Sequence, residues 1–96
     1  MERDELIRNL FAWRRTAANL VAGLTQRERQ VLDLVLAGHP SKLIAITLGI
    51  RQGTVENLRA AIMKKTGSKS HSALAQLANA AVWNDIPNIS LLWNAP

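Results

Sequence analysis

The chain has no cysteine and no tyrosine, and only one phenylalanine and three tryptophans among its 96 residues. Without cysteine there is no disulfide framework and no thiolate metal site, which fits a reducing cytoplasm. No apolar run approaches the roughly 18 residues of a membrane span. The opening MERDELIRNLFAWRR mixes charges where a secretory signal would show a basic start and an apolar core. No membrane is therefore expected as a partner. The two histidines, His39 and His71, stand apart from any clustered carboxylates, and no glycine-rich phosphate loop occurs. The groupings that catalysis or metal binding requires are concentrated nowhere, so no enzyme activity, metal or cofactor is expected.

Acid is also scarce, with seven Asp and Glu against twelve Lys and Arg for a net charge of +5. The placement matters more than the total. Residues 1–23 carry +1, residues 24–83 carry +5 and the remainder carries −1, so the excess lies on the central segment. Clustered positive charge is the electrostatic footprint of a nucleic-acid binder, although composition alone leaves open a basic but inert surface. At 48% hydrophobic residues the chain has enough apolar content to fold, and its length suits one small domain with a modest core.

Helical periodicity runs through the chain. Residues 4–21 carry Leu6, Leu10, Trp13, Ala17 and Leu20 at spacings of three and four, with Ile7, Phe11 and Val21 widening the stripe. In LTQRERQVLDLVLAG, Thr25 and Glu28 form a capping box, Val31, Leu32 and Val35 face inward, and Gly38 is a left-handed stop. His39-Pro40 breaks the chain, and Ser41 is placed to cap a short helix over 42–48. After Gly49-Ile50 a fourth helix is expected from about Gln52 to Lys65, with Val55, Leu58 and Ile62 on one face. A fifth is expected from about Ser72 to Trp83, carrying Leu74, Leu77, Ala78 and Ala81 inward. The last thirteen residues, NDIPNISLLWNAP, read as an ordered tail without regular structure, and no strand or repeat is expected.

Two short helices joined by a tight turn, the second basic, make a helix-turn-helix. The residues are more specific than the spacing. Leu24-Thr25, Arg27-Glu28-Arg29, Val31-Leu32, Gly38, Lys42, Ile44-Ala45 and Leu48-Gly49-Ile50 lead into Thr54-Val55-Glu56, Arg59, Ile62, Lys64-Lys65, Gly67 and Ser70. Through these, residues 24–78 resemble the DNA-binding domain of the LuxR/FixJ (GerE-like) transcription factors. The resemblance implies an all-α fold: a four-helix bundle whose third helix, here the fourth, reads the major groove, and whose last helix commonly makes a dimer contact. To it this chain adds an N-terminal amphipathic helix over 1–23 and an irregular tail over 84–96, leaving 24–83 as the helix-turn-helix domain.

Departures from the family pattern bear on function. Arg51 stands where the family usually has a capping serine; it cannot cap, but it can hold a phosphate. Gly53 follows, weakening the helix while letting a backbone approach closely. Leu58 replaces a usual histidine and lies with Val55 and Ile62, which favours core packing. Leu43 and Ile46 replace usually charged positions. They lie three apart on one face, and either extend the core beneath the N-terminal helix, the slightly favoured reading, or form a patch for a partner.

The resemblance places base contacts at Glu56, Asn57 and Ala60. Asn57 can pair with adenine, Glu56 can accept from cytosine and Ala60 can touch a thymine methyl; Asn57 is equally readable as an ordinary solvated residue. Candidates for phosphate contact are Lys42, Arg51, Thr54, Arg59, Lys64, Lys65 and Lys69. Thr54 has an alternative use at the helix start, Arg59 as a partner of Glu28 or Glu56, and Lys64 and Lys65 as complements to the helix dipole.

Trp13, Trp83 and Trp93 all lie outside residues 24–82. They are expected to join the two extensions into a small cluster beside the last helix, or to form a dimer or partner interface. The extensions are too short for a sensing domain, so control by abundance, dimerisation or another protein is expected. The reading is thus a free-standing transcription regulator that binds double-stranded DNA as a homodimer, cytoplasmic and nucleoid-associated. The alternative is a module of the same fold that binds a transcription factor or RNA polymerase subunit through Leu43, Ile46 and the tryptophans.

Overall fold

The structure is a computed structural model and describes residues 3–85, with side chains to residue 82. Among these residues there are helices and no strand: α1 (Arg3–Ala22), α2 (Gln26–Leu36), α3 (Ser41–Leu48), α4 (Gln52–Thr66) and α5 (His71–Asp85). No helix among them is long and apolar enough to cross a membrane. The tail, with Trp93, lies outside the described residues.

The helix boundaries follow local chemistry. At the start of α2 the Thr25 hydroxyl accepts from the Glu28 amide at 3.1 Å, and the Glu28 carboxylate accepts from the Thr25 amide at 2.8 Å, so the expected capping box forms. α3 begins one residue earlier than expected. Pro40, in extended conformation with φ −71° and ψ 158°, takes the cap position, and Ser41 becomes the first helical residue and does not cap. Proline's fixed φ suits that position, and its carbonyl accepts the first helical bond, from the Ile44 amide at 3.0 Å. α5 is capped by Ser70, whose hydroxyl accepts from the Ala73 amide at 3.1 Å.

Among the described residues two apolar clusters hold the helices. The larger joins α2, α3, α4 and α5 through Val31, Leu32, Ile44, Val55, Ile62 and Leu74, with Leu58 packed against it as its position on the helix foretells. The smaller joins α1 to α5 through Ala17, Val21, Leu77, Ala80 and Ala81. The N-terminal helix does lie on the last helix, and among the described side chains Ala17, Val21, Leu77, Ala80 and Ala81 make the joint. Small side chains let two helix backbones approach closely, and Trp13, at 43% exposure, stays outside the cluster. Trp83 lies near the end of α5.

The apolar stripe of α1 is covered over only part of its length. Ala17 and Val21 are buried, whereas Leu6, Ile7, Leu10, Phe11 and Trp13 remain between 43% and 59% exposed. Leu43 and Ile46 do not extend the core, contrary to the favoured expectation. Ile46 is 70% exposed and Leu43 40%, because Ile44 and Ala45 take the inward positions of α3. Two residues three apart share a helix face, but that relation does not say which way the face points.

Candidate nucleic-acid interface

The turn between α3 and α4 fixes how the second helix is presented. Gly49 adopts the left-handed conformation, φ 67° and ψ 35°, which a residue with a Cβ rarely takes. This ends α3 with the Ile50 amide donating to the Ala45 carbonyl at 3.0 Å and the Gly49 amide to Ile46 at 3.3 Å. Ile50 then packs on the main core and pins the turn. Arg51 follows in extended conformation, φ −75° and ψ 149°, and becomes the N-cap of α4 without a side-chain capping bond. Its carbonyl accepts from the Val55 amide at 3.2 Å, while its side chain stays exposed.

Burial of Val55, Ile62 and Thr66 orients α4. Thr66 satisfies its buried hydroxyl by donating to the Ile62 carbonyl at 2.8 Å, so it adds no unpaired polar group to the core. Gly53, Glu56, Asn57, Ala60 and Lys64 are all exposed, and their spacing puts them on the opposite face in one stripe. At 1.5 Å per residue the stripe runs about 16 Å. Gly53 is open, since nothing would lie within 4 Å of a Cβ built there. Polar groups at the stripe's centre are Glu56 and Asn57. Besides Lys64, the exposed cations are Arg51 just before α4, Lys69 just beyond it and Lys42 in the first turn of α3. Thr54 and Gln52 are also exposed on the first turn of α4. Gln52 was not among the expected contacts, although glutamine can pair with adenine as asparagine does.

Two expected phosphate contacts sit differently. Lys65 donates to Glu28 Oε1 at 2.8 Å, joining the end of α4 to the start of α2. The same oxygen accepts from the Thr25 amide, so the capping box and the ion pair converge on one carboxylate that is itself buried. The hydrogen bond from Lys65, with the Thr25 amide next, holds the Glu28 carboxyl below the usual carboxylate range. Glu28 is therefore taken by Lys65 and not by Arg59. Arg59 is half-buried and lines a cavity of about 90 Å³ with Leu32, Val35, Ile62, Met63, His71 and Leu74, so its stem belongs to the boundary between core and outer face. The Lys65–Glu28 link spans 37 residues of sequence, and helical spacing carries no signal for such a pair.

Of the expected interface residues, Trp13, Leu43 and Ile46 are exposed but lie on different helices, α1 and α3. Among the described residues no group of three or more His, Asp or Glu side chains is placed to hold a metal ion.

Comparison with known proteins bears on this geometry. Residues 22–78 match the family described as bacterial regulatory proteins, luxR family. Over 58 residues the chain is 47% identical to the transcriptional regulatory protein FixJ of Azorhizobium caulinodans, a stretch that covers 60% of this chain and 28% of that one. Over 52 residues it is 52% identical to the transcriptional regulatory protein TdiR of Thauera aromatica, covering 54% of this chain and 23% of that one. Among solved structures, full-length FixJ from B. japonicum aligns with a TM-score of 0.71 at 35% identity, over 86% of this chain and 47% of that one. The chain spans less than a third of these two regulators and about half of the solved one.

Proposed function

The chain belongs to the luxR family of bacterial regulatory proteins, and from that premise we propose that it regulates transcription by binding duplex DNA through α4, as a homodimer. The observation that carries the reading is the outward stripe of α4, bare of large apolar side chains and ending in Lys64, with exposed Arg51 before the helix, Lys69 beyond it and Lys42 on α3. An α-helix fits the major groove of B-DNA, and Gly53 and Ala60 let this one lie close to base edges. Asn57 pairs with adenine, Glu56 accepts from a cytosine amino group and Ala60 meets a thymine methyl. The flanking cations and Thr54 hold the phosphates on either side. Lys65 serves mainly to tie α4 to α2, and Arg59 to seal the side of the core. The binding unit is residues 24–83, with 1–23 adding α1.

With more phosphate contacts than base contacts, binding depends strongly on salt. Each phosphate contact removed lowers the slope of log K against log salt by about 0.9. Measuring that slope for the native chain and for Lys42→Glu with Lys64→Glu tests the assignment. A fall of about 2 or more supports it; an unchanged slope and affinity refutes it.

A second reading rests on Ile46 and Leu43, whose exposure leaves an apolar spot on α3. It makes the same fold a docking module for a transcription factor or an RNA polymerase subunit. Leu43→Asp with Ile46→Asp would then abolish regulation in cells and leave DNA affinity unchanged.

A further inference from the structure

The cavity of about 90 Å³ formed where α2, α4 and α5 meet has no part in the DNA reading. Leu32, Val35, Ile62 and Leu74 line it from three helices and are all buried, so its inner wall is apolar. Arg59 and His71 line it too, the first half-buried and the second exposed, which puts them at its mouth. Among the described residues no acidic side chain lines it. We propose that this cavity binds a small aliphatic monocarboxylate of about four carbons. Its chain lies among the apolar side chains and its carboxylate between Arg59 and His71. Neither DNA binding nor dimerisation is assumed.

Arg59 points to the head group. Holding a guanidinium half-buried against hydrocarbon costs hydration, which a carboxylate partner ordinarily offsets. The nearest buried carboxylate, Glu28, is taken by Lys65. Among the described residues neither Arg59 nor His71 makes an ion pair or a side-chain hydrogen bond. A ligand carboxylate would accept two parallel hydrogen bonds from the guanidinium, and an imidazole N–H offers a third. α5 begins at His71, so the positive end of its dipole lies at the same mouth.

Volume sets the length of the chain. A dry cavity of about 150 Å³ with similar walls holds the six carbons of benzene. In proportion, about 90 Å³ takes roughly three to four carbons, with the carboxyl group at the rim. A dicarboxylate or an inorganic phosphate would press unpaired charge onto Leu32 and Val35, which the apolar wall opposes. So few atoms bind weakly, and a dissociation constant on the order of 1 mM is expected.

Met63 lines the cavity, and Met1 is the other methionine of the chain, so a methionine methyl resonance reports on the site. The full chain, labelled at its methionine methyl groups, is titrated by NMR with butyrate at constant ionic strength, from about 0.1 to about 50 mM. The Met63 methyl should shift saturably. On the native chain 1-butanol should bind at least about fivefold more weakly than butyrate, and inorganic phosphate should leave the methyl unmoved. Arg59→Gln should weaken butyrate about tenfold or more and leave 1-butanol within about twofold. Leu32→Phe, which fills the cavity, should remove both, with helicity checked by circular dichroism. No saturable shift with butyrate overturns the site. Butanol binding as well as butyrate, or butyrate binding unaffected by Arg59→Gln, overturns the role of Arg59. Phosphate shifting the methyl as butyrate does overturns the cavity in favour of an anion spot on its rim. The three ligands on the native chain decide the matter even if a variant fails to fold.

Discussion

Replacing Gly53 with alanine should make the protein more stable and worse at binding DNA. Gly53 lies on the first turn of α4 at ordinary helical φ, and a Cβ there would find nothing within 4 Å. No clash opposes the change, so the full propensity difference applies, about 1 kcal/mol in a helix interior and somewhat less near its end. α4 starts from Arg51, which makes no side-chain capping bond, so its first turn lacks other local support. For a domain of this size each kcal/mol raises the midpoint of thermal unfolding by about 4–8 °C. The expectation is a rise of about 3–8 °C by circular dichroism at 222 nm. Binding should move the other way, because the methyl group projects from the stripe that faces the groove. Affinity for a selected duplex should fall by about fivefold or more at constant salt. An unchanged or lower melting temperature would refute the propensity argument. A higher one with unchanged affinity would refute the close approach of α4 to DNA.

Ile44→Ala removes a fully buried side chain where α3 meets the main core, and should cost about 2–5 kcal/mol by urea denaturation. Gly49→Ala keeps the packing but forces a Cβ into the left-handed region, and should cost about 1–2 kcal/mol in the same assay. Glu28 has a carboxyl held below its ordinary range in the folded state. Its contribution is therefore complete above the ordinary carboxylate range and is lost as pH falls through the lowered value. Lys65→Met should flatten the acid limb of stability against pH and leave the limb above neutrality in shape unchanged. Asn57→Ala should relax preference at one base pair by about 1–3 kcal/mol while leaving the salt slope intact, measured by competition among single-base variants of a bound duplex.

The parts of the fold that local chemistry decides were readable in the sequence. Thr25 and Glu28 announce α2, Gly49 and Gly67 end their helices, and the inward faces of α2, α4 and α5 follow the helical period. What depends on a distant partner was not readable. Periodicity marks α1 as amphipathic, but only the packing of α5 shows that its stripe is covered at Ala17 and Val21 and open from Leu6 to Trp13. Leu43 and Ile46 share a face, but their exposure follows from which side of α3 meets α4, and Ile44 and Ala45 hold that side. The pairing of Lys65 with Glu28 has no local signal, because the carboxylate lies on another helix. Among the described side chains Ala17, Ala80 and Ala81 bring α1 and α5 together and Trp13 stays exposed, while the side chains of Trp83 and Trp93 lie outside the described residues.

The claim at the centre is that α4 reads base sequence and that two copies present it together. Selection of bound duplexes from a random-sequence pool, near physiological salt, tests it most directly. The account predicts enrichment of an inverted repeat with half-sites about one helical turn apart, lost when Asn57 and Glu56 are both replaced by alanine. Absence of retention, or retention without any enriched sequence, would contradict it.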